Sequence, residues 1–234
     1  MAKSAGWEPQ FGYAPSPAGT SAFVSSLPRP TLAEAGPWLT ITKQDVFLGS
    51  LLLQLNPAWK RGRQPVGSCV GWGWSLAAEM LSAADILIRH DREGYGGRIL
   101  EAATYGLSRV EARNLDHNYG GDGSYGAAAA KAVTRYGTIL ADHDYAGKRY
   151  ASGVAEIERQ FGRDGLPNEL EPYAAQHKVG EVTLVRSFED VAKAIANGYP
   201  VAICSTLGFR MTFETDGDGI GAGLCHPDRG RTVR

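Results

Sequence analysis

Residues 67–90, GSCVGWGWSLAAEMLSAADILIRH, carry the pattern that decides the predicted fold. Apolar side chains recur at three- and four-residue spacing from Ala77 to Ile88, which predicts a helix with one apolar face. The helix is predicted to begin at Cys69, directly after a Gly-Ser turn, and to end near His90. The pattern therefore predicts a long helix whose first residue is a cysteine.

Two glycines, Gly71 and Gly73, fall in the first turn of this predicted helix. Glycine is a poor helix former, so both positions cost helix stability. A glycine on a helix surface also allows another segment to approach closely. The two glycines therefore leave room for a neighbouring segment to pack closely against this first turn.

Shorter elements are predicted along the rest of the chain. Helices or short buried elements are predicted at 44–55, 98–112, 127–136 and 154–161. The last helix, FEDVAKAIAN, is predicted to begin after Ser187, with Asp190 completing an N-cap signature, and to end at Gly198. Strands are predicted at 181–186 and 200–205, and the glycine-rich tail from Gly208 is predicted to be loop.

Composition excludes several classes of partner. The chain has 24 basic and 25 acidic residues and a net charge of −1, which does not favour nucleic-acid or anionic-membrane binding. No apolar run approaches the roughly 20 residues that a membrane span needs. The N-terminus has no apolar signal region, and the 3 cysteines are too few for a disulfide framework. We therefore expect a cytoplasmic protein in a reducing compartment.

Four sequence blocks, in this order, resemble the papain-like cysteine peptidases. They are GSCVGWGWS at 67–75, NYGGDGSYGAAAAKAVTRYG at 118–137, DYAGKRYAS at 144–152 and FEDVAKAIANGYPVAICS at 188–205. The first resembles the turn and helix that carry the family's nucleophile. The second resembles the glycine-rich segment and helix that follow it. The resemblance spans about residues 60–205.

The resemblance implies an α+β, two-lobe fold. Its helical left lobe, about 60–150, would carry the nucleophile on a central helix. Its β-rich right lobe, about 175–234, appears incomplete, because the end of the chain resembles no strand of the family. Residues 1–36 are rich in Pro, Gly, Ser and Ala and are predicted to form an extended or partly disordered arm before a peptidase domain at 37–234.

The resemblance also implies a reaction and its residues. Cys69 would be the nucleophile of thiol-dependent peptide-bond hydrolysis, which proceeds through an acyl-enzyme. His226, the one histidine after the predicted right-lobe strands, would be its base and acid. Gln64 would help to hold the oxyanion, although it lies one residue closer to the cysteine than is usual in the family. Such an enzyme of bacterial or phage type needs a peptide or protein substrate and no cofactor.

Substrate-binding positions follow from the same match. Gly123 and Ser124 would offer backbone groups to an extended peptide, and Ser124 stands where the family has glycine. Tyr125 follows them, Gly67 and Ser68 precede the nucleophile, and Cys204 would lie near the main specificity pocket. The family's secreted members have a disulfide at the places of Val66 and Gly121, so its absence favours a reducing environment.

Other interpretations of these residues stay open. Cys69 could be a buried inert thiol, the commoner fate of a lone cysteine, and Gln64 a surface residue. The whole chain could be a catalytically inactive papain-like domain that binds peptides or serves a structural role. A transglutaminase-like enzyme would share only the cysteine at a helix start. The adjacent Cys225 and His226 are too few ligands for a zinc site, and no metal is expected.

Overall fold

The computed structural model describes residues 14–41, 46–60, 62–91, 94–113 and 121–205, and the backbone of four two-residue strands beyond them. The chain divides into two compact units, Met1–Ile203 and Cys204–Arg234. The first unit is helix-rich with short β-pairs, so the chain is of the α+β class. Within these ranges, no helix is both long enough and apolar enough to cross a membrane.

Nine α-helices are described in the first unit. They are α1 Pro17–Ser25, α2 Leu32–Ala35, α3 Leu48–Leu55, α4 Cys69–Leu87, α5 Glu101–Arg109, α6 Gly126–Lys131, α7 Ala155–Asp164, α8 Glu171–Ala174 and α9 Phe188–Ala196. A π-helical turn, Ala132–Tyr136, continues α6. Strands β1 Asp144–Tyr145 and β2 Lys148–Arg149 form an antiparallel pair.

Helix α5 is the centre of the first unit, because every one of its residues is buried. It packs against α4 on one side and α7 on another. The main apolar cluster joins its side chains to those of α6, α7 and α8; the members include Leu100, Leu107, Ala128, Phe161 and Leu170. Burial of this cluster supplies the main driving force for folding in this unit.

The two glycines at the start of α4 have different surroundings. A Cβ on Gly71 would lie 2.7 Å from the Tyr105 Cβ and 3.0 Å from the Glu101 carbonyl oxygen, so α5 crosses there in close contact. A Cβ on Gly73 would meet nothing within 4 Å. Another segment therefore does approach closely at Gly71, whereas Gly73 has open space beside it.

Local signals predicted helices α4 and α9 well. Helix α4 begins at Cys69, as predicted, and ends three residues before His90. At α9 the Asp190 backbone N–H donates to the Ser187 side chain, which is the predicted N-cap bond. Gly198 follows with a φ of +79°, a left-handed conformation that favours glycine.

The strand predictions in the first unit are wrong. Residues 181–186 make one β-bridge within the described chain, a parallel one between Leu184 and Thr31. Residues 200–205 are described and form no strand. An alternating pattern predicts which face of a segment is buried but supplies no partner, and a ladder needs a neighbour along its whole length.

The predicted N-terminal arm and loop-like tail also contain regular structure. Part of the arm is helical: α1 packs against α6, and Leu32 of α2 packs with Leu39 and Ala194 in a second apolar cluster. In the second unit, strand β3 Gly208–Phe209 pairs antiparallel with β6 Cys225–His226. Strand β4 Glu214–Thr215 pairs antiparallel with β5 Gly221–Ala222. Residues 1–13 lie outside the described part.

Candidate functional site

Cys69 is the first residue of α4, and its side chain is a partly exposed thiol. The residues on either side, Ser68 and Val70, are buried. The positive end of a helix favours an anion within its first turn, and a thiolate is the form in which cysteine attacks carbonyl carbon. The thiol therefore occupies a reachable position at the helix end that favours its reactive form.

The turn before Cys69 is attached to the body of the unit at two points. The Gly67 backbone N–H donates to Asp122 Oδ2 at 2.9 Å. The Ser68 hydroxyl makes no cap bond to α4 and instead donates to Glu158 Oε2. These two acceptors come from segments that lie 55 and 90 residues further along the chain. The Gly-Ser turn is thus fixed by tertiary contacts.

Glu158 lies on α7 and is fully buried, with 0% of its surface exposed. Its second oxygen, Oε1, accepts a hydrogen bond of 3.1 Å from Trp72 Nε1. Burial raises the pKa of Glu158 to about 7, and the negative charges of Glu101 and Asp122 add to the rise, while the bonds from Ser68 and Trp72 oppose it. A carboxyl group with a pKa near neutrality is therefore hydrogen-bonded to the turn that precedes Cys69.

Gln64 precedes the Cys69 turn, and its side-chain amide binds the backbone of the same segment. Gln64 Nε2 donates to the Val66 carbonyl oxygen at 2.5 Å. The side chain is partly buried. The amide nitrogen has a second N–H, and its role in holding an oxyanion stays a prediction.

The predicted substrate-binding backbone is already engaged. The Gly123 N–H donates to the Tyr105 hydroxyl at 2.9 Å, and its carbonyl accepts from Arg109 Nη1 at 3.2 Å. The Ser124 carbonyl accepts from the Ala14 N–H at 2.7 Å. A peptide that pairs with Ser124 would therefore have to replace the N-terminal segment at that carbonyl.

The Ser124 side chain also points inward. Ser124 is fully buried, and its hydroxyl accepts from Ser108 Oγ at 2.9 Å. Tyr125 is extended at the start of α6, and its ring lies 5.2 Å from the Arg113 guanidinium carbon. Ser124 therefore packs into the unit, and its role toward a substrate, like that of Tyr125, stays a prediction.

The structure describes the side chains of some histidines but only the backbone of His226. His90 follows the far end of α4, so roughly 30 Å of helix separates it from Cys69. His143 stacks against Tyr145 with ring centroids 5.0 Å apart. The backbone of His226 pairs with Gly208 in the second unit, and its side chain lies outside the described part. The dyad of Cys69 and His226 stays a prediction, as does the placement of Cys204 beside a pocket.

Two acidic residues of this site were missed by the sequence interpretation. Asp122 falls within the glycine-rich block at 118–137 and Glu158 within the helix predicted at 154–161, and the sequence pattern gives neither a role in the site. A signal for Glu158 does exist: with Phe161 it lies on the apolar face of α7 at three-residue spacing, where a carboxylate is unusual. An acidic residue on a buried helical face is a useful indicator of a functional or structural polar network.

Comparisons with known proteins give one likeness. No family model matches the chain, and no curated protein matches it. Among solved structures, the chain is similar to xylellain, a cysteine protease from Xylella fastidiosa, with a TM-score of 0.47 and 14% sequence identity. The match covers 80% of this chain and 61% of the xylellain chain. Both identity and TM-score are too low for this likeness to assign a function, and the two-lobe papain-like arrangement stays a prediction.

Proposed function

We propose that this protein is a thiol-dependent peptide hydrolase with Cys69 as its nucleophile. The observation that carries the proposal is the combination at one place of a partly exposed thiol, a helix N-terminus and a turn fixed from both sides. An inert core cysteine needs none of these. The four sequence blocks that resemble papain-like peptidases point to the same chemistry and to a peptide substrate.

The proposed reaction has two steps. The Cys69 thiolate attacks the scissile carbonyl carbon, and the C–N bond breaks as the protonated imidazole of His226 gives its proton to the leaving amine. Water then attacks the thioester while His226 takes up a proton, and the carboxylic acid leaves as Cys69 regains its thiolate. Gln64 supplies a side-chain N–H to the oxyanion.

A catalytically inactive peptide-binding domain is the second candidate. It is favoured by the bonds that already occupy the proposed machinery, since the Gln64 amide donates to Val66 and the Ser124 carbonyl accepts from Ala14. In that case the segment around Ser124 would bind a peptide or the chain's own N-terminal segment without cleaving it.

Competitive alkylation tests the nucleophile. Iodoacetamide is added in limiting amounts at pH 7, and mass spectrometry measures the labelling of Cys69 and Cys204 in the same molecules. Both thiols are partly exposed, which makes Cys204 a matched internal control. An activated Cys69 should label about tenfold faster or more, because the thiolate is the reacting species. Equal rates would show that Cys69 is an ordinary thiol.

Hydrolysis of a fluorogenic peptide mixture tests the reaction itself. Cys69→Ala should abolish turnover, and His226→Ala should lower it by roughly 10²- to 10⁴-fold. If Cys69 labels rapidly but no peptide is cleaved, while Cys69→Ala still binds peptides, the inactive domain is the correct function.

A further inference from the structure

Cys69 is flanked by two side chains that bind one and the same carboxyl group. Ser68, just before it, donates its hydroxyl to Glu158 Oε2, and Trp72, one helical turn after it, donates Nε1–H to Glu158 Oε1. Glu158 is fully buried and comes from a different helix, α7. One oxygen of the carboxyl group thus binds the residue before Cys69, and the other oxygen binds a residue one helical turn after it.

The partners of Glu158 are compatible with both of its protonation states. Trp72 Nε1–H is a donor only, whereas the Ser68 hydroxyl can either donate or accept. An ionised carboxylate accepts from both residues. A protonated carboxyl can still accept from Trp72 and donate its own proton to the Ser68 oxygen. The contact to the cysteine turn can therefore persist while the charge beneath it changes.

The other charges around Glu158 are mostly negative. Glu101 approaches from α5, and Asp122 approaches from the segment that binds Gly67. Arg98 is a cation that contacts two of these neighbours: its guanidinium lies 5.3 Å from the centre of the Trp72 ring, and its Nε lies 3.9 Å from Glu101 Oε2. Cys69 directly follows Ser68, whose hydroxyl contacts this carboxyl group. Glu158 therefore ionises against two other acids, and burial opposes its charge further.

We propose that Glu158 is the positioning residue of the Cys69 nucleophile, holding its turn through Ser68 and Trp72 and controlling by its charge how readily the thiolate forms. This inference rests on the proposed role of Cys69. When Glu158 is protonated, the helix end favours the thiolate without opposition. When Glu158 ionises, its negative charge lies against the side chain of Ser68, the neighbour of Cys69, and disfavours the thiolate. The pKa of Glu158 near 7 places this change close to neutral pH.

The rate of Cys69 alkylation by iodoacetamide, measured from pH 5 to 9 by mass spectrometry, tests the proposal without any need for peptide cleavage. In the natural sequence the rate should rise less steeply above about pH 7, where Glu158 ionises. Glu158→Gln keeps both contacts, since its amide oxygen accepts from Trp72 and its amide N–H donates to the Ser68 oxygen. This variant should lack the inflection and label roughly three- to tenfold faster at pH 8.

Two further variants control for structural effects. Glu79→Gln removes another buried, tryptophan-bonded carboxyl of the same unit, at a distance from Cys69 along α4, and should leave the Cys69 profile unchanged. Ser68→Ala removes a donor that stabilises the Glu158 carboxylate, so the inflection should move to higher pH. It also provides an answer if Glu158→Gln does not fold. All profiles are repeated with His226→Ala, which removes the imidazole from the titration.

The proposal is overturned if Glu158→Gln and the natural sequence give superimposable profiles, or if Glu79→Gln changes the profile as much as Glu158→Gln does. An unmoved inflection in Ser68→Ala would equally contradict it. Failure of the proposed function looks different: peptides are not cleaved, yet the Glu158-dependent inflection in Cys69 labelling is still present.

Discussion

Two buried glutamates, Glu79 of α4 and Glu158 of α7, each accept a hydrogen bond from a tryptophan, yet they differ in their second partner. Glu158, beneath the Cys69 end, accepts from Trp72 Nε1 and from the Ser68 hydroxyl. Glu79, within α4, accepts from Trp59 Nε1 at 3.0 Å and from the Ile99 backbone N–H at 2.9 Å. Burial is the largest cause that raises the pKa of each one.

The two sites differ in whether the carboxyl group can gain or lose a proton and still keep both of its hydrogen bonds. Both partners of Glu79 are donors only, so both carboxyl oxygens must accept. Glu79 thereby fastens α4 to the segment before α5, which is a structural task. Glu158 has one partner that can reverse its hydrogen bond, so its protonation state can change without loss of the contact. The two carboxyl groups are therefore similarly buried but differ in function. Of these two, only Glu158, which binds the turn before Cys69, can change its charge without loss of a hydrogen bond.

The largest expected effect is the pH dependence of stability at Glu158. Because its folded pKa is raised to about 7 from 4.5, the folded state holds a proton between those pH values that the unfolded state has lost. The natural sequence therefore loses stability as the pH rises from about 4.5 through 7. Glu158→Gln lacks this loss, so its unfolding free energy relative to the natural sequence should increase by about 2–3 kcal/mol between pH 5 and pH 8.

Denaturant unfolding of both proteins at the two pH values measures this difference. Contributions from titrating groups that do not interact with Glu158 are common to both proteins and cancel. A constant difference from pH 5 to pH 8 would mean that Glu158 ionises normally, and the contrast between the two sites would then fail.

A second prediction compares the two glutamine variants directly. At pH 5, Glu79→Gln should lower the unfolding free energy by about 2 kcal/mol more than Glu158→Gln does. A glutamine has one acceptor oxygen, so either Trp59 Nε1–H or the Ile99 N–H would face another donor. Both substitutions remove the free-energy cost of burying an ionisable carboxyl group, so that cost does not produce the difference. Equal costs in parallel denaturant titrations would show that the partners of Glu158 are as restrictive as those of Glu79.

The third prediction examines how tightly the Cys69 end of α4 is packed. Gly71→Ala should destabilise the protein by about 2 kcal/mol, because its Cβ would overlap Tyr105 and the Glu101 carbonyl. Gly73→Ala, two residues away in open space, should stabilise it by up to about 1 kcal/mol through helix propensity. Thermal unfolding of the two variants provides the measurement. A stabilising Gly71→Ala would show that α5 does not restrict the cysteine turn.

The candidate site was only partly predictable from the sequence. Cys69 at the start of α4 could be predicted because helical periodicity and the preceding Gly-Ser turn are local features. The N-cap of α9 could be predicted for the same reason, since Ser187 and Asp190 are three residues apart. The strand predicted at 181–186 failed because its partner, Thr31, is distant in sequence and pairs at one residue alone.

By itself, the sequence determined where α4 begins and ends and which thiol lies at its N-terminus, because interactions within a few residues decide helix limits. Only the tertiary structure decided which of the two glycines contacts α5. It also decided that Glu158 binds the turn before Cys69. The Ser68–Glu158 contact joins residues 90 apart, and no local pattern specifies such a pair. The packing of α7 against α5 creates it by burying a carboxyl group beside the turn, and burial raises the pKa of that group to about 7.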